Sequence, residues 1–475
     1  MEQRWKVLTI TSVGLFMASL DLFIVNIAFP DLTRDFGGAS LSNLSWVLNA
    51  YAIVFAALLV PAGRIADRIG RKRVFIAGLL LFSLASALCA AAPSIPFLVA
   101  SRVLQAAGGA MMLPTTLGLI LPAFPVEQRA VAIGIWSAVG GVAAALGPPI
   151  GGILVQLDWR LIFLVNVPIG IVTAFVALRA LDEVREPEDG RPDLLGAAAL
   201  ALGIALLTLG IVKGADWGWG DARTIASFLA AAGLVVAFLR RSAHHRAPVI
   251  ELPLLRVRSF ALANLAAAVF FAGFGAMLLS GVLLLTELWG YSALKAGFAL
   301  SPGPLMAAAF AVPSGRLGAR IGQRPVAVAG GLAFAASFAW ILATVGATPE
   351  YATTFLPGFM LGGAGVGMTL GTLPAAATSA LPPSRFATGT AVFGMARQLG
   401  SAIGVAVLVA LLEGAAPDLL TGLRHGWAFA LGTGLGAAGL ALALRPASAR
   451  VQGRAEALDP QAASAPEPQP ERAPA

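Results

Sequence analysis

The sequence predicts an all-α polytopic membrane protein with 14 transmembrane helices, arranged as two pseudo-symmetric six-helix bundles plus two inserted helices. Three observations support this prediction: long apolar runs, an uneven distribution of lysine and arginine, and an internal repeat. Hydrophobic residues make up 58% of the 475-residue chain and charged residues only 12%, about half the share usual in a soluble domain. A soluble fold of this length could not cover so much apolar surface, so the lipid bilayer is the expected solvent.

Each predicted span is an apolar run of about 20 residues, the length that crosses the hydrocarbon core of a bilayer. The runs are 7–29, 43–63, 74–92, 96–120, 130–154, 160–180, 194–213, 222–239, 260–285, 294–315, 326–345, 352–378, 387–412 and 425–444. The first run is longer than the apolar part of a signal peptide, so we interpret it as an uncleaved span. Residues 446–475 are rich in Ala, Pro, Glu and Gln, which predicts a disordered cytoplasmic tail.

The basic residues test the span count, because cytoplasmic loops of membrane proteins are enriched in lysine and arginine. With the N-terminus placed inside, 24 of the 32 basic residues fall in inside segments, six in outside segments and two within spans. A wrong count would scramble this asymmetry. The sequence therefore predicts both termini in the cytoplasm, and it explains the net charge of +8 by topology rather than by nucleic-acid binding.

A short repeat divides the chain. Residues 63–70 read GRIADRIG and residues 315–322 read GRLGARIG, so five of eight positions match at a spacing of 252 residues. The repeat predicts an N-terminal six-helix bundle (1–180), two inserted helices with flanking loops (181–258) and a C-terminal six-helix bundle (259–445). Parallel halves of this kind are typical of transporters, which bind substrate between the halves near the middle of the membrane.

Five stretches carry a resemblance to one family. They are LDLFIVNIAFP (20–30), GRIADRIGRKR (63–73), RVLQAAGGA (102–110), GGVAAALGPPIGG (140–152) and WRLIFLVNVPIG (159–170). In this order and on these spans they resemble the signatures of the major facilitator superfamily, specifically its fourteen-span drug:proton antiporters. The resemblance covers nearly all of the chain except the tail. It implies the major facilitator fold and proton-coupled transport, with no cofactor.

Asp21 is the only acid placed deep within a predicted span. It lies about 22 Å along a helix from Lys6, somewhat past the middle of a core about 30 Å thick. Loss of hydration favours the protonated carboxyl, so Asp21 can take up a proton from one side and release it to the other. Two further readings stay open. Asp21 could bind a cationic drug, or it could be a structural acid hydrogen-bonded to Asn26 or to another helix.

Arg102 and Arg397 are the two basic residues within predicted spans. A buried arginine is costly unless it is paired or hydrated. For Arg102 the resemblance implies a role with Asp21 in proton transfer or conformational coupling, and snorkelling to the headgroups is the alternative. Arg397 either pairs with an acid, lines the cavity or has a structural role. Residues that could line a cavity are Asn26, Trp46, Asn49, Tyr51, Gln105, Arg397 and Gln398, although Trp and Tyr at this depth are as often interface anchors.

Two further motifs are expected to control movement. In the loop after span 2, Gly63 is expected to permit a tight exit from the span, and Asp67 is expected to pair with Arg71 or with a helix N-terminus. The resemblance implies a latch made of Gly63, Asp67, Arg68, Gly70 and Arg71; a merely topogenic basic loop is the alternative.

In span 5, small residues recur at a helical spacing and let another helix approach closely. The residues concerned are Gly140, Gly147, Pro148, Gly151 and Gly152. The resemblance implies that this packing forms part of the outer gate and is typical of exporters.

These features favour a transporter over a membrane enzyme or a receptor. The spans and their flanks contain no HExxH, GxSxG or Walker motif, and a receptor would need neither the buried Asp and Arg nor the repeat. We predict a proton-coupled exporter of small lipophilic, cationic compounds, monomeric, in the bacterial inner membrane, with no metal or nucleic acid involved. Export of one dedicated metabolite or antibiotic, and proton-coupled import of a nutrient, stay open.

Overall fold

The computed structural model describes residues 2–37, 40–185, 192–379, 381 and 385–444. Within these ranges the regular structure is helical and contains no strand. The tail 446–475, predicted to be disordered, lies outside the described residues.

Helices form wherever the sequence has an apolar run. The first eight are α1 (Gln3–Ile27), α2 (Phe29–Asp35), α3 (Leu41–Ile69), α4 (Arg71–Ala90), α5 (Ile95–Ala123), α6 (Val126–Leu157), α7 (Leu161–Leu164) and α8 (Asn166–Ala180). The next two, in the predicted insertion, are α9 (Leu194–Trp217) and α10 (Ala222–His244). A short 3-10 turn follows at Leu252–Arg256.

The remaining helices are α11 (Arg258–Leu283), α12 (Ala293–Leu300), α13 (Pro302–Ile321), α14 (Gln323–Thr344), α15 (Leu356–Thr378), α16 (Phe386–Gly414) and α17 (Leu419–Leu442). A π-helical turn extends α11 at Leu284–Leu288, and another precedes α15 at Tyr351–Phe355.

Thirteen helical segments of the described chain are long and apolar enough to cross a bilayer. α7 with α8, and α12 with α13, each count as one such segment. The fourteenth predicted span is also a helix, the 24-residue α17, but His425 and its glycines make it less apolar. The predicted all-α polytopic fold is confirmed, and the chain is a multi-pass membrane protein.

The connecting segments begin and end the helices through local chemistry. Ser40, Asp193 and Asp418 each accept a hydrogen bond from the backbone N–H three residues later, which caps α3, α9 and α17. Gly70 ends α3 with φ of 123°, and Gly322 ends α13 with φ of 94°, a conformation that favours glycine. These glycines are the last residues of the two repeat copies, so the repeat produces the same turn twice.

The expected role of Gly63 as the exit from span 2 is wrong. α3 continues through Gly63 to Ile69, six residues beyond the predicted end of the span, and the turn is made by Gly70. Gly63 instead faces Pro114 of α5, whose Cβ would lie 3.4 Å from a Cβ placed on Gly63. Its small size therefore serves helix packing.

Two ends of the bundle can be distinguished by their contacts. At the amino-terminal end, where α1 begins, Gln3 Nε2 donates to the carbonyl of Ala180 at 2.6 Å and Arg4 donates to Gln128 at 2.9 Å. At the opposite end, Trp159 Nε1 donates to Asp35 at 2.9 Å. The loops thus gather at two faces, as expected when successive helices run antiparallel.

The helices of the first half, α1–α8, contact the helices of the second half, α11–α17, along two seams. α3 packs against α16 along one seam, and α6 packs against α12 and α13 along the other. α9 lies against both α3 and α16, so it covers the first seam. The division into 1–180, 181–258 and 259–445 stays a prediction.

Glycine allows the tightest of the helix contacts. A Cβ on Gly404 of α16 would overlap the backbone carbonyl of Ala272 in α11, and one on Gly400 would overlap that of Ala268. Backbone atoms cannot move aside as a flexible side chain can, so α11 and α16 depend on these glycines for their close approach.

We predict that Gly404→Ala lowers the free energy of unfolding by about 1–3 kcal/mol, because overpacking forces the two backbones apart. The drop is measured as a lower apparent Tm of the purified protein in detergent. Gly439→Ala on α17 is the matched control, since Gly439 is exposed and has no atom within contact distance of an added Cβ. An equal effect of both substitutions would contradict the prediction.

Candidate functional site

Asp21 and Arg102 form an ion pair inside the first half of the chain. Arg102 Nη1 donates to Asp21 Oδ2 at 2.6 Å, and both side chains are 0% exposed. Asp21 comes from α1, three-quarters of the way along the helix, and Arg102 comes from the first third of α5. Because the two helices lie side by side, the pair neutralises both charges at membrane depth, as such charges require.

Gln105 completes the coordination of Asp21. One turn after Arg102 on α5, its Nε2 donates to Asp21 Oδ1 at 2.8 Å and to Ser86 Oγ of α4 at 2.8 Å. Its Oε1 accepts from Arg102 Nη1 at 2.6 Å. We call Asp21, Ser86, Arg102 and Gln105 the buried polar network. Both carboxylate oxygens of Asp21 are therefore occupied.

Helix α3 also holds the guanidinium of Arg102. Arg102 Nε donates to the carbonyl of Val47 at 3.1 Å, and the guanidinium lies over the ring of Tyr51 at 4.1 Å from its centre. Arg102 Nη2 is buried without a hydrogen-bond partner among the described residues. A buried donor left unpaired costs about 1–3 kcal/mol, so the guanidinium has one donor ready for a new acceptor.

Of the predicted cavity residues, Gln105 joins the buried polar network and the ring of Tyr51 contacts Arg102, whereas the others lie apart from it. Asn26 donates to the carbonyl of Leu22 at 3.0 Å, and the hydrogen bonds of Asp21 go to Arg102 and Gln105 instead. Asn49 and the hydroxyl of Tyr51 are buried, and in the described part of the chain their side-chain polar atoms have no partner. Trp46 lies at the opposite end, where it lines a cleft of about 640 Å³. Arg397 and Gln398 lie on α16 and do not join the buried polar network.

The other acids considered near the membrane are placed differently from Asp21. Glu287 is exposed in the π-helical turn after α11. Glu413, near the end of α16, accepts the backbone N–H of Ser42 at 3.0 Å. This bond joins α16 to the N-terminus of α3, where a carboxylate is favoured by the helix dipole. Neither acid contacts the buried polar network.

The proposed latch is a set of bonds around the turn at Gly70. Asp67 and Arg71 form an ion pair at 2.7 Å, and Arg71 Nη1 also donates to the carbonyl of Gly118 in α5 at 2.9 Å. Arg68 is exposed. The turn is tied to the segment after α8, since the backbone N–H of Arg71 donates to the carbonyl of Val184 at 2.9 Å. These bonds stay within the first half of the chain; their role as a latch stays a prediction.

An ion-pair cluster that sequence reasoning missed links the two halves. Glu251 Oε1 accepts from Arg64 of α3 at 3.2 Å and from Arg385, which precedes α16, at 2.8 Å. Glu251 is the only acid between Arg240 and Arg258, and a single carboxylate in a basic loop is the one sequence feature that marks it. The cluster crosses the α3–α16 seam at the amino-terminal end.

The glycines of α6 contact two different neighbours. A Cβ on Gly147 would lie 2.6 Å from Phe23 Cβ, and one on Gly151 would lie 2.9 Å from Ile24 Cγ1, both on α1. A Cβ on Gly152 would lie 2.6 Å from the carbonyl of Ala293 in α12. α6 therefore packs tightly against α12 towards the opposite end of the bundle.

The other two span-5 residues extend this packing. Gly140 faces Leu15 of α1, and the carbonyl of Pro148 closely approaches Gly297 of α12. The role of these α6 residues as an outer gate stays a prediction.

We predict that Asp21→Asn lowers the free energy of unfolding by about 3–5 kcal/mol, because it leaves the charge of Arg102 buried and uncompensated. Arg102→Gln should have an effect of similar size. The double variant should be less destabilised than the sum of the two, by at least about 1 kcal/mol. Apparent Tm values of the four purified proteins test this, and strictly additive effects would contradict a direct interaction.

Comparison with known proteins places this arrangement in a family. The sequence profile of the Major Facilitator Superfamily matches residues 11–405, and it matches again at residues 265–468. The chain is 35% identical over 425 residues to a protein of Streptomyces coelicolor named "Probable actinorhodin transporter", covering 87% of this chain and 73% of that one. It is 34% identical over 420 residues to "Multidrug resistance protein Stp" of Mycobacterium tuberculosis, covering 86% and 76%.

A third relative and one solved structure are also transport proteins. The "Tetracenomycin C resistance and export protein" of Streptomyces glaucescens is 33% identical over 418 residues, covering 87% of this chain and 77% of that one. A crystal structure of a bacterial homologue of the human lysosomal transporter Spinster, in an inward-facing and unoccupied conformation, has a TM-score of 0.66 at 18% identity and covers 96% of this chain and 98% of that one. At that identity the likeness shows the fold alone. The chain belongs to the major facilitator superfamily of membrane transporters, as its motifs predicted.

Proposed function

We propose that this protein is a proton-coupled antiporter that exports small lipophilic compounds, including drugs, by alternating access. The observation that carries the proposal is the ion pair of Asp21 and Arg102, buried at membrane depth between α1 and α5. The three relatives are named for transport, resistance or export, which supports an exporter over an importer. The protein works as a monomer in the bacterial inner membrane, with both termini in the cytoplasm.

Protonation of Asp21 supplies the coupling step. A neutral carboxyl no longer balances Arg102, so the guanidinium must find another acceptor or water. An unpaired buried charge costs about 3–5 kcal/mol. One proton moving down a pH difference of about one unit and a potential of about 100 mV supplies roughly 1.4 and 2.3 kcal/mol. The driving force is therefore of the size needed to break the pair.

A movement of the Arg102 side chain would directly disturb its contacts with α3. The guanidinium is bonded to the carbonyl of Val47 and stacked on Tyr51, both on α3, and α3 forms one of the two seams between the halves. Since both Asp21 and Arg102 are sealed from solvent here, proton entry and release require α1, α3 and α5 to separate. This geometry supports the proposed coupling of protonation to movement.

Changes of access would break contacts between the halves at one end at a time. At the amino-terminal end the ion-pair cluster of Glu251 with Arg64 and Arg385 crosses the α3–α16 seam. Towards the opposite end α6 packs on α12 through Gly152. Ion pairs can dissociate and form again in water, whereas packed glycines separate only when whole helices move apart.

The geometry also bears on the charge of the exported compound. The sequence analysis predicts cationic compounds because an unpaired Asp21 carboxylate could bind them. Both oxygens of Asp21 are taken by Arg102 and Gln105, so this preference has no support from the geometry and stays a prediction. Efflux measurements with a panel of compounds would distinguish export of many compounds from export of one dedicated metabolite.

We predict efflux that depends on the proton gradient and on Asp21. In cells lacking other exporters, the full-length protein should extrude at least one dye from a panel of ethidium and aromatic carboxylates. An uncoupler or Asp21→Asn should reduce this efflux at least about tenfold. Asp31→Asn is the control, since Asp31 pairs with Arg34 outside the apolar run. Efflux that survives the uncoupler would rule out proton coupling, and normal efflux by Asp21→Asn would rule out the role of Asp21.

We also predict the orientation of the two ends. Cys89 is the only cysteine of the chain and is buried, so Cys89→Ala gives a cysteine-free background. There, Asn43→Cys at the opposite end should react with a membrane-impermeant maleimide in intact spheroplasts. Arg68→Cys at the amino-terminal end should react only after permeabilisation. Both side chains are exposed, so the reverse pattern would place the termini outside.

A further inference from the structure

A second arginine lies at membrane depth, in the other half of the chain. Arg397 is the twelfth residue of α16, a helix of 29 residues, and so lies about 17 Å from its start at 1.5 Å per residue. It is part of the stretch RQLGSAIG, whose role the ion pair of Asp21 and Arg102 does not explain. A cation near the middle of the membrane requires a partner or water.

The guanidinium of Arg397 has no polar partner in the part of the chain that the structure describes. Among the described residues it makes no ion pair and no hydrogen bond, and its side chain is partly exposed. The contact that the structure does show is with the ring of Phe271, 5.6 Å from the guanidinium carbon to the ring centre. Arg102, by contrast, is fully enclosed by its partners. The donors of Arg397 are therefore free to receive a ligand.

The neighbours of Arg397 on α16 show which way its face of the helix points. Three residues earlier, Gly394 faces Leu59 of α3, 2.9 Å from a Cβ placed on the glycine. Four residues later, Ser401 packs on Gly275 of α11. Residues three and four apart lie on one face of a helix. Arg397 thus lies on the face of α16 that is directed towards α3 of the first half and α11 of the second half.

A row of aromatic rings begins beside Arg397. Phe271 and Phe274 of α11 are 5.4 Å apart between ring centres, and Phe274 is 6.3 Å from Phe23 of α1. A row of three rings therefore runs from Arg397 across the junction to α1. Gln398, beside Arg397 on α16, is buried and has no hydrogen bond to another described residue. The site offers one cation, one amide and a continuous aromatic wall.

We propose that Arg397 binds the acidic group of the transported compound, and that the cargo consists of lipophilic aromatic anions such as carboxylates. The inference rests on the proposed function, because it takes the ligand to be the exported compound. A planar guanidinium binds a carboxylate through two parallel hydrogen bonds, and the aromatic body packs against Phe271 and Phe274. An aromatic cation would meet the rings but would be repelled by Arg397.

The test is a binding measurement with three fluorescent probes that share one ring system. They are 1-pyrenebutyrate, its neutral amide, and a trimethylammonium analogue that carries a positive charge. The purified wild-type protein should bind the carboxylate at least about tenfold more tightly than the amide, the factor expected for a charge-assisted hydrogen bond. The cation should bind most weakly. Equal affinities, a preference for the cation, or no binding of any probe would overturn the proposal without recourse to a variant.

Variants then assign the preference to Arg397. Arg397→Gln should remove the advantage of the carboxylate while leaving amide binding within about twofold, which also shows that the variant is folded. Arg397→Lys should retain part of the advantage, since it keeps the charge but loses the planar fork. Arg320→Gln, on an exposed arginine of α13, is the matched control. An unchanged preference in Arg397→Gln would overturn the assignment.

Failure of the proposed function would look different. Asp21→Asn should keep the binding preference for the carboxylate and lose uncoupler-sensitive efflux, because Asp21 lies in the buried polar network and not beside Arg397. If the carboxylate binds selectively but its efflux ignores the uncoupler, proton coupling is wrong and anion binding stands. If efflux is uncoupler-sensitive but shows no preference for the carboxylate, anion binding is wrong and coupling stands.

Discussion

The ion pair of Asp21 and Arg102 is the interaction on which the first half of the structure depends. Each charge would be costly alone at membrane depth, and together they are neutral. The pair fixes α1 against α5, and its further bonds reach α3 through Val47 and α4 through Gln105 and Ser86. Protonation of Asp21 would therefore weaken bonds that link four helices, α1, α3, α4 and α5. In hydrocarbon no water competes for these groups, so the effect is not screened as it would be at a protein surface.

The two membrane arginines would have different roles in the proposed transport cycle. Arg102 is enclosed and pairs with the carboxylate that is proposed to take up the proton, whereas Arg397 has no polar partner among the described residues and is proposed to bind a ligand. Helix α3 touches both regions, because Val47 accepts from Arg102 and Leu59 packs against Gly394, one turn before Arg397 on α16. A shift of α3 on protonation would thus alter the wall of the proposed binding site. Proton and cargo need not share one carboxylate for their movements to be linked.

The features that could be predicted from the sequence are those that depend on a local pattern of residues. The apolar runs, the repeat that ends at Gly70 and Gly322, and Asp21 as the deeply buried acid of a span were all readable from one chain. Sequence reasoning could not find Glu251 as the partner of Arg64 and Arg385, which lie 187 and 134 residues away, because that cluster exists only once helices pack. The prediction that Gly63 ends span 2 is wrong for a related reason. A glycine near a helix end predicts a turn, but here the facing Pro114 of α5 explains its size.

Helix α9 and the segment after α10 make the two seams unequal. α9 covers α3 and α16, and Glu251 in the segment after α10 pairs with an arginine at the end of α3 and another before the start of α16. At the other end of the same seam Glu413 of α16 accepts from the N-terminus of α3. The α6–α12 seam is held by helix packing at Gly152 and Gly297. Because ion pairs and surface hydrogen bonds can dissociate and form again in water, the bonds at the two ends of the α3–α16 seam can open in turn, whereas the α6–α12 seam opens only when the helices move apart. We therefore expect the movement that exposes Arg397 to involve α3 and α16, the helices that connect the proposed proton site to the proposed anion site.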